Sequence, residues 1–129
     1  MSYQIDAAQK TVRTRCVSPL LLEEVVQHFY ALQQDPACPR ELDVLLDLTE
    51  TTSAPQQHEL KAVAFSIADV RGRVKFGACA IVAPRDAMFG MMRMFEVFAQ
   101  KSFRATAVFR TLAEAEAWLA TQQLQPERE

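Results

Sequence analysis

Leu42-Asp43-Val44-Leu45-Leu46-Asp47-Leu48 is a short, dominantly aliphatic run, followed at once by the polar stretch Thr49-Glu50-Thr51-Thr52-Ser53-Ala54-Pro55. Successive side chains of a strand point to opposite faces, so Val44, Leu45 and Leu46 would place apolar groups on both sides. Such a strand must be covered on both faces, which is the condition of a sheet carrying helices. The run is therefore predicted to lie mid-sheet, with the polar stretch emerging at the rim.

Working downstream, Leu60, Val63, Ala64, Ile67 and Val70 recur at helical spacing, and Gly72 closes that helix. Ser53 and Gln56 have the spacing of a capping box in front of it, with Pro55 in the first turn. A strand is expected around Ala78 to Val82. Asp86 is then expected to cap a helix from about Ala87 to Gln100, with Met88, Met91, Met92, Phe95, Phe98 and Ala99 on one face. A last strand runs from Ala105 to Arg110. Thr111 and Glu114 form a second capping box, opening a helix that carries Leu112, Ala115, Trp118 and Leu119.

Upstream, Val12, Thr14 and Cys16 alternate with Arg13 and Arg15, the pattern of a strand with one wet face. Tyr3 to Asp6 reads as a short strand, joined to it through Ala7 to Lys10. Ser18-Pro19 reads as a cap and first helical residue, with Leu21, Leu22, Val25, Val26, Phe29 and Leu32 on the buried side. The order strand–helix–strand–helix–strand–helix implies right-handed crossovers and a mainly parallel sheet. The expected fold is α/β, a mixed four- to five-stranded sheet with about four helices. Residues 1–122 form one domain in this reading, and 123–129 a polar tail.

Composition narrows the function classes. The 129 residues are half apolar, enough for one real core, and 14 basic against 16 acidic residues give a formal charge of −2. Nucleic-acid binders carry a basic excess for phosphate contacts, so no nucleic-acid partner is expected. The uncharged apolar run Gly77 to Pro84 is too short for a transmembrane segment. Three widely spaced cysteines without a C-x-x-C pair, and a start without a basic-then-apolar leader, point to a cytoplasmic, reducing location.

Chemical motifs are scarce. With three glycines, no phosphate-cradling loop can be written, and no cofactor is expected. His58-Glu59 lacks a second histidine four residues on, and His28 sits at the edge of a helix's apolar face, so no metal site is expected. Cys79 falls in a buried strand and should be inert, whereas Cys38, in a loop flanked by Pro36 and Pro39, should be exposed and oxidisable. Asp47, at the carboxyl end of its strand, is the best-placed acid for chemistry, although acids there also cap loops. Asp47, Ser53 and Arg93 near one end of the sheet are the whole case for an enzyme, and no catalytic residue is assigned.

In combination, Leu45-Leu46-Asp47-Leu48-Thr49 with its Ser/Thr-rich turn resembles the STAS (anti-sigma-factor antagonist) superfamily. Phe89-Gly90-Met91-Met92-Arg93-Met94-Phe95-Glu96, Val108-Phe109-Arg110 and Glu114-Ala115-Glu116-Ala117-Trp118-Leu119 resemble its SpoIIAA-like branch of small bacterial proteins. The resemblance spans about Val12 to Leu119. It implies a non-enzymatic module that binds protein partners, with Ser53 as the equivalent of a phosphorylated switch beside Thr49, Thr51 and Thr52. The plainer reading of Ser53 is an N-cap, which Gln56 at the matching position supports.

Two further sets follow from the residues themselves. Met94 and Val97, off the main stripe near Gly90, with Arg93 beside them, and Phe65, beyond its own helix's stripe, are candidates for contact with a partner or a homodimer mate. Met88, Met91, Met92 and Phe95 are either ordinary core or the lining of a pocket for an apolar, lipid-like small molecule.

Overall fold

The alternation of Val12, Thr14 and Cys16 with Arg13 and Arg15 is realised in β2 (Thr11–Val17), where the first set is buried and both arginines are exposed. In the computed structural model, which describes residues 1–17, 21–52, 55–70 and 72–124, β2 follows β1 (Ser2–Asp6) as an antiparallel hairpin. Lys10 closes that hairpin at φ 52°, in the left-handed region. Then come α1 (Leu22–Gln34), β3 (Glu41–Glu50), α2 (Gln57–Asp69), β4 (Lys75–Val82), α3 (Asp86–Phe98), a 3₁₀ turn (Ala99–Lys101), β5 (Ala105–Phe109) and α4 (Leu112–Leu124). The fold is α/β, with a five-stranded mixed sheet and four helices.

The sheet order is β1-β2-β3-β4-β5, with β2 through β5 parallel. Three successive crossovers step the same way across the sheet, so the right-handed rule sends α1, α2 and α3 to one face. Val44 and Leu48 of β3 join Val25, Phe29, Leu60, Ile67, Met92 and Phe95 in the larger core on that side. Leu45 faces the other way, into a smaller core with Ala78, Ala80, Val82, Ala115 and Leu119 beneath α4. The strand expected to be covered on both faces is covered on both.

Several boundaries differ from the sequence expectations. Ser18 and Pro19 lie outside the described residues, as does Ser53. Helix α1 begins at Leu22 with Leu21 as an extended N-cap, and Leu21 stays exposed rather than joining the stripe. The box before α2 sits one turn later than expected. Gln56 is the N-cap, and the Glu59 carboxylate accepts its N–H at 2.8 Å. Arg85, not Asp86, caps α3, and Asp86 is its first residue. Thr111 does cap α4, accepting the Glu114 N–H at 3.2 Å, but Leu112 remains exposed. Helix α4 runs to Leu124, and the Gln123 amide on it donates to the Gln9 carbonyl at 2.7 Å.

One irregularity in the sheet has a chemical cause. Between β3 and β4 the register skips, Leu42 pairing with Phe76 but Val44 with Cys79. One extra residue therefore stands on β4, a bulge opposite Asp43. The buried Asp43 carboxylate accepts the Ala78 N–H at 2.9 Å, and Gln123 donates to its other oxygen at 3.3 Å. A Cβ on Gly77 would lie 2.5 Å from the Asp43 Oδ1 atom. The carboxylate at 43, placed as it is, thus requires glycine at 77. We predict that Asp43→Ala, which leaves a buried N–H unpaired, costs about 1–3 kcal/mol in urea unfolding. Asp43→Asn, which keeps an accepting oxygen, should cost less; equal costs for the two would remove this account of the bulge.

Candidate functional site

The carboxyl ends of β2 and β3, together with α1, α2 and α3, enclose a small apolar cavity of about 40 Å³. Cys16, Leu46 and Leu48 form its sheet side, Val25 and His28 reach it from α1, and Leu60 and Val63 from α2. Met92 and Phe95 complete it from α3, while Met1, Pro55 and Glu59 stand at its margin. Of the four pocket candidates, Met92 and Phe95 line this space. Met88 is buried in the core beside it, and Met91 is half-buried against the same core.

Two hydrogen bonds joined by a ring contact run from the cavity wall outward. Thr14 Oγ1 and His28 Nε2 form a buried hydrogen bond of 2.8 Å, and the Tyr3 ring packs on His28 with centroids 5.3 Å apart. The Tyr3 hydroxyl donates to Asp35 at 2.8 Å, which holds the phenol above its ordinary pKa. His28 is buried, not at the edge of the apolar face as its spacing suggested. Burial holds its imidazole down at about 4, so it is neutral at pH 7.

The rim beyond β3 is tightly held. Asp47 accepts the Thr49 N–H at 3.0 Å, the local capping role open to an acid at a strand end. Arg85 donates to the carbonyls of Thr51 at 2.7 Å and Thr49 at 3.3 Å. Thr51 is buried, its hydroxyl donating to the Cys16 carbonyl at 3.0 Å, whereas Thr49 and Thr52 are exposed. Thr51 is thereby removed from the hydroxyls that a modifying enzyme would reach.

The cysteines divide differently from expectation. Cys79 is buried as expected, and burial raises its thiol far above the ordinary value. Cys16 is pushed up to about 11 by burial. Cys38 was expected in water but is 2% exposed. The reason is Arg73, which donates to the carbonyls of Cys38 and Asp35, both at 2.6 Å, and folds the loop inward.

The interface candidates are distributed over the outer helical layer. Phe65 is 58% exposed on α2, under a Lys61 ammonium 5.9 Å from its ring centroid. Val97 is 62% exposed on α3, and Arg93 beside it pairs with Glu96 at 3.7 Å. Met94 is half-buried and packs on the core, so it contributes less surface than its position implied. Tyr30, 48% exposed on α1, was not singled out by sequence, although its position off the α1 stripe was a usable signal. Among the described residues no group of three His, Cys, Asp or Glu side chains is arranged to hold a metal ion. No helix among them is long and apolar enough to cross a membrane. The chain matches no family model, no curated protein and no solved structure.

The neutral His28 makes stability pH-dependent with a definite sign. Between its folded value of about 4 and the ordinary 6.5, the unfolded chain binds the extra proton, so stability falls as pH falls through that window. Urea titrations at pH 7 and pH 4 should show the protein losing about 3 kcal/mol more than His28→Gln, which keeps a partner for Thr14. Parallel losses in the two proteins would place the acid sensitivity elsewhere.

Proposed function

We propose that this chain is a non-enzymatic, protein-binding regulatory module of the STAS type, nearest its SpoIIAA-like branch, whose partner docks on the outer face of the α1–α2–α3 layer. One observation carries this reading. Each of the three helices holds a large apolar side chain in water, Tyr30 at 48%, Phe65 at 58% and Val97 at 62% exposure. Single exposed apolar residues are ordinary. Repetition across adjacent helices, with α2 packed between α1 and α3, makes a face instead of an accident.

The polar turn at the end of β3 supports the same reading, since its backbone is clamped by Arg85 and Asp47 while Thr49 and Thr52 face solvent. Ser53 remains the proposed modification point in this scheme. A phosphate there adds negative charge to the polar stretch that precedes α2 in sequence.

The test uses the wild-type chain and a Tyr30→Glu/Phe65→Glu double variant as paired baits. The partner retained by the first and released by the second is then purified and titrated by calorimetry. We expect binding to weaken by about tenfold or more, as for loss of aromatic anchors. Retention of the same proteins on both baits, with circular dichroism unchanged, would remove the reading.

A second reading, carriage of a small apolar molecule, rests on the cavity between α1, α2, α3 and the sheet. Its size restricts the cargo, because about 40 Å³ holds only a few atoms and no acyl chain. Leu60→Ala would enlarge that space. Native mass spectrometry of this variant with benzene should then show an adduct; a bare chain mass at saturation counts against carriage.

A further inference from the structure

The two edges of the sheet are built differently. At one edge, β1 places Ser2, Gln4 and Asp6 alternately with Tyr3 and Ile5, so polar side chains punctuate it. At the other, β5 reads Ala105-Thr106-Ala107-Val108-Phe109, without a charge or a proline, and among the described residues it pairs only with β4. Edges left in water are usually blunted by lysine, proline, bulges or inward charges, and β5 has none of these. Beside it, a trough of about 280 Å³ opens between the end of α3 and the strand, lined by Glu96, Val97, Phe103, Arg104, Ala105 and Thr106.

We propose that a second copy of this chain occupies this edge, its β5 pairing antiparallel with β5 about a two-fold axis normal to the sheet. The two five-stranded sheets then join into one of ten strands, and both α3 helices fall on the same side. Helix α3 packs on β5. Across the joined edge the two α3 axes lie within about two strand spacings, roughly 10 Å, which is helix-packing distance.

The occupant is identified by charge. In an isologous contact, residue i meets the partner's j while j meets the partner's i. Arg93 and Glu96 stand three residues apart on α3, with Arg93 62% exposed. Antiparallel α3 helices set Arg93 against the partner's Glu96 and Glu96 against the partner's Arg93, so the stripe is complementary to itself. The arginines ending β5 do not oppose this. Arg104 turns to Gln122 of α4 at 3.1 Å and Arg110 to Asp86 of α3 at 2.5 Å, which places them on opposite faces of the joined sheet. Stable interfaces bury about 1,000 Å² or more, beyond the reach of one five-residue edge, so the α3 contact is part of the association.

Sedimentation velocity on the whole chain tests this, with circular dichroism as the folding control. The wild type should sediment at twice the chain mass at micromolar concentration. Arg93→Glu and Glu96→Arg should each weaken the dimer about tenfold or more, and the double exchange R93E/E96R should restore it. Thr106→Lys, a charge on the edge strand, should give monomer. A monomeric wild type overturns the proposal, as does a dimer indifferent to T106K or a double exchange that fails to restore association. These positions are separate from Tyr30 and Phe65, so loss of the partner face and loss of the dimer are distinguishable.

Discussion

The coverage of β3 on both faces is the constraint from which the rest of the structure follows. Val44 and Leu48 need one apolar layer and Leu45 another, and a strand cannot supply either to itself. Crossovers of one hand place α1, α2 and α3 together, leaving α4 alone to close the opposite side. That helix covers β4, β5 and part of β3. The outer half of the same sheet face stays in water, and this is where Arg13 and Arg15 stand, paired with Glu116 and Glu50. Exposed pairs of this kind add little stability. Their physical role is to keep the open half-face wet.

The uneven layering also decides where apolar surface is left over. Three helices laid side by side over five strands turn their backs to solvent, and their outward positions hold Tyr30, Phe65 and Val97. Helix α3 sits at the end of that layer, over the last strand. Its outer flank and the bare edge of β5 are therefore neighbours by topology, which is why a trough forms there. The proposed partner face and the proposed dimer edge are two consequences of one arrangement.

Periodicity made the strands and buried stripes legible because it records which side of an element meets the core. Leu60, Val63, Ala64 and Ile67 in α2, and Val12, Thr14 and Cys16 in β2, were readable for this reason. What escaped depends on contacts between distant segments. Cys38 sits in a loop of turn-forming residues, and only Arg73, 35 residues on, draws it inward. Gln123 looked like tail because its bonds go to Gln9, Thr11 and Asp43. The capping box moved from Ser53 to Gln56 because Glu59 is an equally good third-position acid, and local spacing alone does not choose between them. Gly77, like Tyr30, was a missed feature with a local signal, since a glycine inside a strand pattern marks a bulge or close approach. The cavity had none, being bounded by side chains from two strands and three helices.

The acidic groups give the functional argument its direction. A carboxylate available for general acid–base chemistry has to reach a substrate proton. Asp43 holds the Ala78 N–H inside the sheet, Asp47 the Thr49 N–H, Glu59 the Gln56 N–H and Asp35 the Ala37 N–H. Each of these oxygens fixes a turn, a cap or a bulge in the backbone. Backbone held in this way loses little conformational freedom on association, which supports the proposed protein-binding reading without adding to it. Of the groups the sequence offered for chemistry, Asp47 serves in this way, its carboxylate closing the turn at the end of β3.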